Sequence, residues 1–420
     1  MGSGLEMQQY DISRPDPQCV ILILSMKILF LTHTPPYPPD DGMRSTCYSL
    51  IKEMSGRHEV SLMTLVESDK EATEVQLIRP WLKNFLVVRH AVPRSPLRRL
   101  WNMLVERDPF CVNQFYNPAY ARSLQDLLAR VKFDLVHFTS INVAGYHHCL
   151  GAVPGLFFPH DSVSMQFYRN AEREPNPLKK IYIYSQFRKT RRFEKTMIPK
   201  FAKTVVVSEV DRKWISEFLP GIDIPVIPGG VDPERFQPRQ APEEFPSVIF
   251  RGVMNFIPNV DAVLYFYNEI MPLILKEFPN LKFYVVGKNP TPDILDLNGK
   301  NTVVTGLVHD IRSYMAIATV NVCPMRSGSG MKNKILEAWA MEKPVVATRM
   351  ATDGIALEEG KEILIADDAP TFAKHVIELL KNPQLRSELG KRGREKAIQK
   401  YTWSYVATLF EKVYEEMIAR

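Results

Sequence analysis

The stretch VNVCPMRSGSGMKNKILEAWAMEKPVVAT, residues 320 to 348, decides the fold. It reads as a buried strand, a Gly/Ser loop, a helix and a second buried strand, the βαβ unit of a parallel sheet. In the loop Arg326-Ser327-Gly328-Ser329-Gly330 the glycines permit dihedrals that turn backbone N–H groups toward an anion, and a helix expected from Met331 would present its positive end there. Glu337 lies three residues after Lys334 and seven after Gly330, so the three positions share a helix face. A carboxylate two turns in from an anion site is placed to accept hydrogen bonds from ribose hydroxyls. The same residues also fit a plain turn followed by a Lys334–Glu337 surface pair.

The same alternation extends outward in both directions. KILFLTH, EVSLMTLV, FLVVRH, DLVHFTS, GLFFPHD and TVVVSE precede the Pro/Gly segment IPVIPGGVDPERFQP, and SVIFRG, LKFYVVG, NTVVTGLV, VNVCPM, PVVAT and EILIA follow it. Two α/β domains result, each doubly wound and Rossmann-like, facing one another across a cleft. The expected divisions are a leader-like 1–25 opening with MGSG, a first domain over 26–225, a second over 226–401, and a final amphipathic helix over 402–420 packing back on the first domain. Ligands of such sheets bind outside the carboxyl ends of the strands, so chemistry is sought in the strand-to-helix loops.

Composition restricts the class. With 420 residues, 45% hydrophobic and 24% charged, the chain is neither disordered nor collagenous. Five cysteines (Cys19, Cys47, Cys111, Cys149, Cys323) show no metal-ligand spacing and no disulfide framework, which suggests a cytoplasmic protein. The longest apolar run, Val20 to Leu24, is too short to span a bilayer. All of the net charge of +6 lies before Gly230, and Arg169 to Lys203 carries eleven basic residues against three acidic ones, interleaved with aromatics. That stretch is either a solvated helix face or a docking surface for anionic lipid or polyanionic substrate. No recognition motif accompanies it, so nucleic acid is not an expected partner.

The 320–348 stretch, with FYVVG and VVTGLVHD before it, resembles the donor domain of the retaining GT-B glycosyltransferases of family four, also called glycosyl transferases group one. KILFLTHTPPYPPDDGMRS is similar to that family's first strand and glycine loop, and YTWSYVATLFEKVY to its closing helix. The GxxxKNKxLEA form is similar to sugar transferases associated with exopolysaccharide export. The resemblance implies a sugar transfer from a nucleotide diphosphate donor to a saccharide or lipid-linked acceptor, with the protein cytoplasmic or peripheral on the inner membrane face. It places Glu337 on the ribose. The family's other glutamate falls on Ser329, and Gly252 matches the glycine that ends the first donor-domain strand. The Arg and Lys that usually clamp the diphosphate fall on Val253 and Asn259. Arg251, Arg326, Lys332 and Lys334 are the nearby cations, with Lys334 favoured. Gly330, Met331, Val308 and His309 complete the expected nucleotide side. In the first domain, Gly42 and Met43 could bring N–H groups to the phosphate, or the Pro-rich segment is a mere connection. His160, beside Asp161, is the first-domain candidate for touching the transferred sugar, with a structural histidine as the alternative.

No D-x-D, H-x-x-x-H or G-x-S-x-G pattern is present, so the transfer is expected to need no metal, no cofactor and no covalent nucleophile. A nucleotide-sugar epimerase of the same architecture and a non-catalytic nucleotide-sugar binding module are the competing classes. A dehydrogenase is disfavoured because THTPP, not GxGxxG, follows the first strand.

Overall fold

Each of the twelve runs from KILFLTH to EILIA becomes a strand in the computed structural model, which describes residues 25–93 and 95–419. The leader, Cys19 and Val20 to Leu24 lie outside the described residues. The first sheet comprises β1 (Lys27–Thr32), β2 (Glu59–Val66), β3 (Phe85–Arg89), β4 (Leu135–Phe138), β5 (Gly155–His160) and β6 (Lys203–Val206). The second comprises β7 (Ser247–Arg251), β8 (Lys282–Val286), β9 (Thr302–Gly306), β10 (Val320–Cys323), β11 (Val345–Ala347) and β12 (Leu364–Ile365). Their orders, β3-β2-β1-β4-β5-β6 and β12-β11-β10-β7-β8-β9, are the same topology twice. All pairings are parallel, which is why the strands read as unbroken apolar runs: helices cover both faces.

Chain order reverses between β1 and β4 in one sheet and between β7 and β10 in the other, so each domain has a crevice at its carboxyl edge. At the second crevice two loops meet closely. A Cβ on Gly287, just after β8, would lie 1.7 Å from the Gly252 carbonyl oxygen, so only glycine lets these backbones touch.

The closing helix, Trp403–Ile418, buries Trp403, Val406, Phe410, Val413 and Tyr414 against Ile28, Phe30 and Leu50 of the first domain. Glu411 ties it down by accepting from Arg57 at 2.8 Å and facing His58 Nε2 at 3.1 Å. The Tyr414 hydroxyl meets His137 Nδ1 at 2.6 Å. The chain thus crosses between the domains twice, and the crossings run side by side: Val231 N–H donates to Tyr401 at 2.7 Å and Trp403 N–H donates to Val231 at 3.3 Å.

Candidate functional site

The Gly/Ser loop after β10 faces the end of β5 from the other domain. The Ser329 hydroxyl donates to Asp161, and a Cβ on Gly330 would come within 3.0 Å of the Asp161 carboxylate. Gly330 has φ +66, the left-handed region that glycine tolerates best. Arg169, on the helix Val163–Arg173 of the first domain, reaches across to the Gly328 carbonyl at 2.7 Å and to Asp353 at 3.5 Å. Lys288, after β8, pairs with Asp40 at 2.8 Å on the loop after β1. The two domains are therefore joined by polar contacts on both sides of the cleft.

The loop differs from expectation in one respect. The helix begins at Asn333, not Met331, and Lys332 occupies its N-cap position. Lys332 is buried, and its ammonium donates to the Ser329 and Gly330 carbonyls at 2.6 and 2.7 Å. Together with Arg169 it directs three consecutive loop carbonyls toward cations. Burial lowers the Lys332 pKa, against the raising effect of Asp161.

Lys334 and Glu337 are not a surface pair. Lys334 Nζ donates to Asn259 Oδ1 at 2.9 Å and sits 4.3 Å from the centre of the Phe250 ring. Desolvation lowers its pKa to about 8. Glu337 instead accepts from Arg251, a buried side chain at the end of β7 that also donates to the Lys334 carbonyl. Gly252 is where a Cβ would strike the Asn259 amide at 2.6 Å, so Asn259, β7 and Lys334 form one packed unit.

The other expected residues fall at varying distances from this unit. Arg326 stacks over Tyr265 at 4.1 Å and is bound by Asp261 at 2.7 Å. Met331 Sδ accepts from the Gly229 N–H at 3.2 Å, next to the domain crossing. Val308 packs on the second core and His309 is exposed, both beyond β9, two strands from the switch point. Gly42 opens the helix Gly42–Ser55, where the Asp41 carboxylate already caps Arg44 N–H at 3.0 Å.

His160 ends β5 with φ +70, a strained conformation for a residue with a side chain. Its ring lies tilted against Phe158 with the centroids 4.3 Å apart, its Nε2 is buried without a partner, and burial lowers its pKa to about 4. It is neutral at pH 7. His33, at the β1/β4 switch point, shares a 2.9 Å hydrogen bond with Ser140, and burial takes it down to about 3. Asp161, Arg169, His33 and the Lys288–Asp40 pair were not singled out from sequence. The position of His33 and Lys288 directly after apolar strands was the available signal.

Behind Asp161 lie two further acids. Asp211 accepts from Ser162 N–H at 2.8 Å, and Glu194 accepts from Ser164 N–H at 3.1 Å. Burial raises both to about 7. Between about pH 4.5 and 7 folded Glu194 keeps a proton that the unfolded chain has released, so its contribution to stability falls as pH rises through that window. Glu194→Gln is therefore expected to gain about 2–3 kcal/mol over the parent at pH 8 and nothing near pH 4. Denaturant unfolding at the two pH values checks this, and an equal difference at both would count against it.

Among the described residues no group of three or more His, Cys, Asp or Glu is gathered to hold a metal ion. The architecture is that of two facing Rossmann-like domains, and the family models say which enzymes share it. The model of glycosyl transferases group 1 matches residues 245–382, and that of glycosyltransferase family 4 matches residues 41–235. The chain belongs to this glycosyltransferase family and has its GT-B fold. It is 24% identical over 372 residues to a 44.6 kDa protein of the cps region of Klebsiella pneumoniae, covering 85% of this chain and 91% of that one. It is 28% identical over 234 residues to the phosphatidyl-myo-inositol mannosyltransferase of Mycobacterium tuberculosis, 52% of this chain and 61% of that one. Among solved structures, HepE of Anabaena in complex with UDP and glucose superposes with a TM-score of 0.64 at 14% identity, over 93% of this chain and 99% of that one.

Proposed function

We propose that this enzyme moves a hexosyl unit from a nucleoside diphosphate sugar to a saccharide or lipid-linked acceptor in polysaccharide assembly, with retention of configuration and without a metal ion. The observation that carries the reading is Lys334. Its ammonium stands against Asn259 at the β7/β10 edge, one helical turn from Glu337, so a cation and a carboxylate lie on one helix at the carboxyl edge of the second sheet. The diphosphate would lie against Lys334 and the ribose against Glu337. The UDP complex of HepE and the mannosyl and cps-region relatives support the donor and acceptor classes.

In the transfer the bond from the anomeric carbon to the diphosphate oxygen breaks while the acceptor oxygen bonds to that carbon on the same face. The acceptor proton passes to the departing phosphate oxygen. Negative charge grows on the diphosphate and is stabilised by Lys334, which supplies the charge a divalent ion would otherwise provide. His160, neutral with a free ring nitrogen, and Asp161 stand on the opposite wall, where they would hold the sugar hydroxyls.

The test is incubation in EDTA with UDP, GDP and ADP sugars and a saccharide or lipid acceptor, following free nucleoside diphosphate and glycosylated product together. Both should appear in equal amounts. An epimer of the donor without an acceptor product would make the enzyme an isomerase, and donor binding with no turnover would make it a binding module.

A further inference from the structure

The short helix Pro96–Leu104 of the first domain is turned inside out. Leu97, Leu100, Trp101, Leu104 and the following Val105 recur at the spacing of one helix face, a pattern that normally packs into a core. Here that face is outward: Leu97 is 77% exposed, Trp101 56% and Leu104 70%. The inward face is polar. Asn102 is fully buried, accepts from Gln186 at 3.0 Å and donates to Glu106 at 2.7 Å. Lys189 donates to the Glu106 carbonyl at 2.5 Å. These bonds lay the helix alongside Pro177–Met197, whose first turns expose Leu178 at 77% and Ile181 at 60%. Two adjacent helices thus each leave large apolar side chains bare, which a folded domain does rarely.

The border of this surface is cationic. Arg99, Lys179 and Lys180 are exposed around it, while Glu106 is turned inward onto Arg98 and Asn113 and Asp108 is the exposed acid at the helix end. Within the basic run 169–203 four cations are engaged inside the protein, and Lys179 and Lys180 are among those left exposed. Arg169 is spent on the second domain, Arg191 stacks between Trp214 and Phe218, Lys189 serves backbone carbonyls and Lys203 pairs with Asp223. The surface also adjoins the cleft. Arg173 reaches Asp261 of the second domain at 4.0 Å, and Leu178 follows five residues later, no more than about 18 Å away along the chain.

We infer that the Leu97–Val105 stripe with Leu178 and Ile181 is a docking face for an anionic lipid bilayer, which brings the cleft mouth to the membrane surface. The inference rests on the glycosyl transfer reading only for its purpose, delivery of a lipid-linked acceptor. No helix among the described residues is long and apolar enough to cross a membrane, so the attachment is interfacial. Apolar side chains enter the acyl boundary while Arg99, Lys179 and Lys180 lie at the level of the lipid phosphates. A second copy of the chain would meet the face with the same cations opposed to its own, which disfavours self-association there.

The full chain is sedimented with phosphatidylglycerol vesicles and with phosphatidylcholine vesicles at low and high salt. The parent should pellet with the anionic vesicles, and Trp101 emission should shift to the blue. A Leu97→Ser, Trp101→Ser, Leu104→Ser variant, which leaves the inward bonds intact, should partition at least about tenfold more weakly. A Lys179→Gln, Lys180→Gln variant should lose most of the salt dependence. The proposal is overturned if the parent stays in the supernatant, if the triple variant pellets equally well, or if the stripe instead drives a concentration-dependent dimer that the triple variant abolishes. Turnover of a nucleotide sugar with a soluble acceptor should be the same in parent and triple variant. Loss of vesicle binding in a chain that turns over no sugar at all would uphold the surface and reject the activity.

Discussion

Lys334→Met is expected to lower kcat by about 10²- to 10³-fold while weakening donor binding far less, because the ammonium acts on charge that develops only as the diphosphate leaves. The substitution keeps the length of the stem that lies on Phe250, so folding should survive. The ammonium ionises near pH 8 in the free protein, so it is charged below that value and loses its charge above it. The parent's kcat/KM should accordingly decline above about pH 8, and the decline should vanish in the variant. Steady-state kinetics over pH 6 to 9.5 decide the matter. If Arg326→Met cripples the enzyme and Lys334→Met does not, the cation is Arg326, freed from Asp261.

Arg251→Met should destabilise the protein by about 2–4 kcal/mol, the range expected when one partner of a largely buried ion pair is removed. Arg251 is 6% exposed, and its loss strands both the Glu337 carboxylate and the Lys334 carbonyl that it holds. Glu337 keeps some access to the cleft, which places the figure below that of a fully enclosed pair. Denaturant melts of the parent, Arg251→Met and the double variant Arg251→Met, Glu337→Gln separate the terms. The double variant should recover part of the loss, because it leaves no unpaired charge. A single variant as stable as the parent would show that Glu337 does not depend on Arg251.

All twelve strands were legible because a parallel sheet covered on both faces demands largely apolar runs at regular intervals. The start of the helix after Gly330 was not, since the hydrogen bonds from the Lys332 ammonium to the Ser329 and Gly330 carbonyls have no local signature. Contacts across the cleft were equally silent. Ser329 and Asp161 are 168 residues apart, Gly328 and Arg169 are 159 apart, and Lys288 and Asp40 are 248 apart. The apolar stripe of PLRRLWNML was not singled out from the sequence, and its periodicity carries no sign for its direction. An apolar stripe reads as core-facing until the buried Asn102 on the opposite side shows otherwise.

The central claim, that Glu337 and the unit around it hold a nucleotide, is tested most directly by calorimetric titration of UDP, GDP and ADP into the parent and into Glu337→Gln. The change is nearly isosteric and keeps an acceptor for Arg251, so the fold should be preserved. At least one nucleoside diphosphate should bind the parent, and the variant should bind it about 10- to 100-fold more weakly, the cost of roughly 1–3 kcal/mol for a lost charge-assisted hydrogen bond to the ribose. Equal affinity in the two proteins, or no binding of any diphosphate by the parent, would contradict the account.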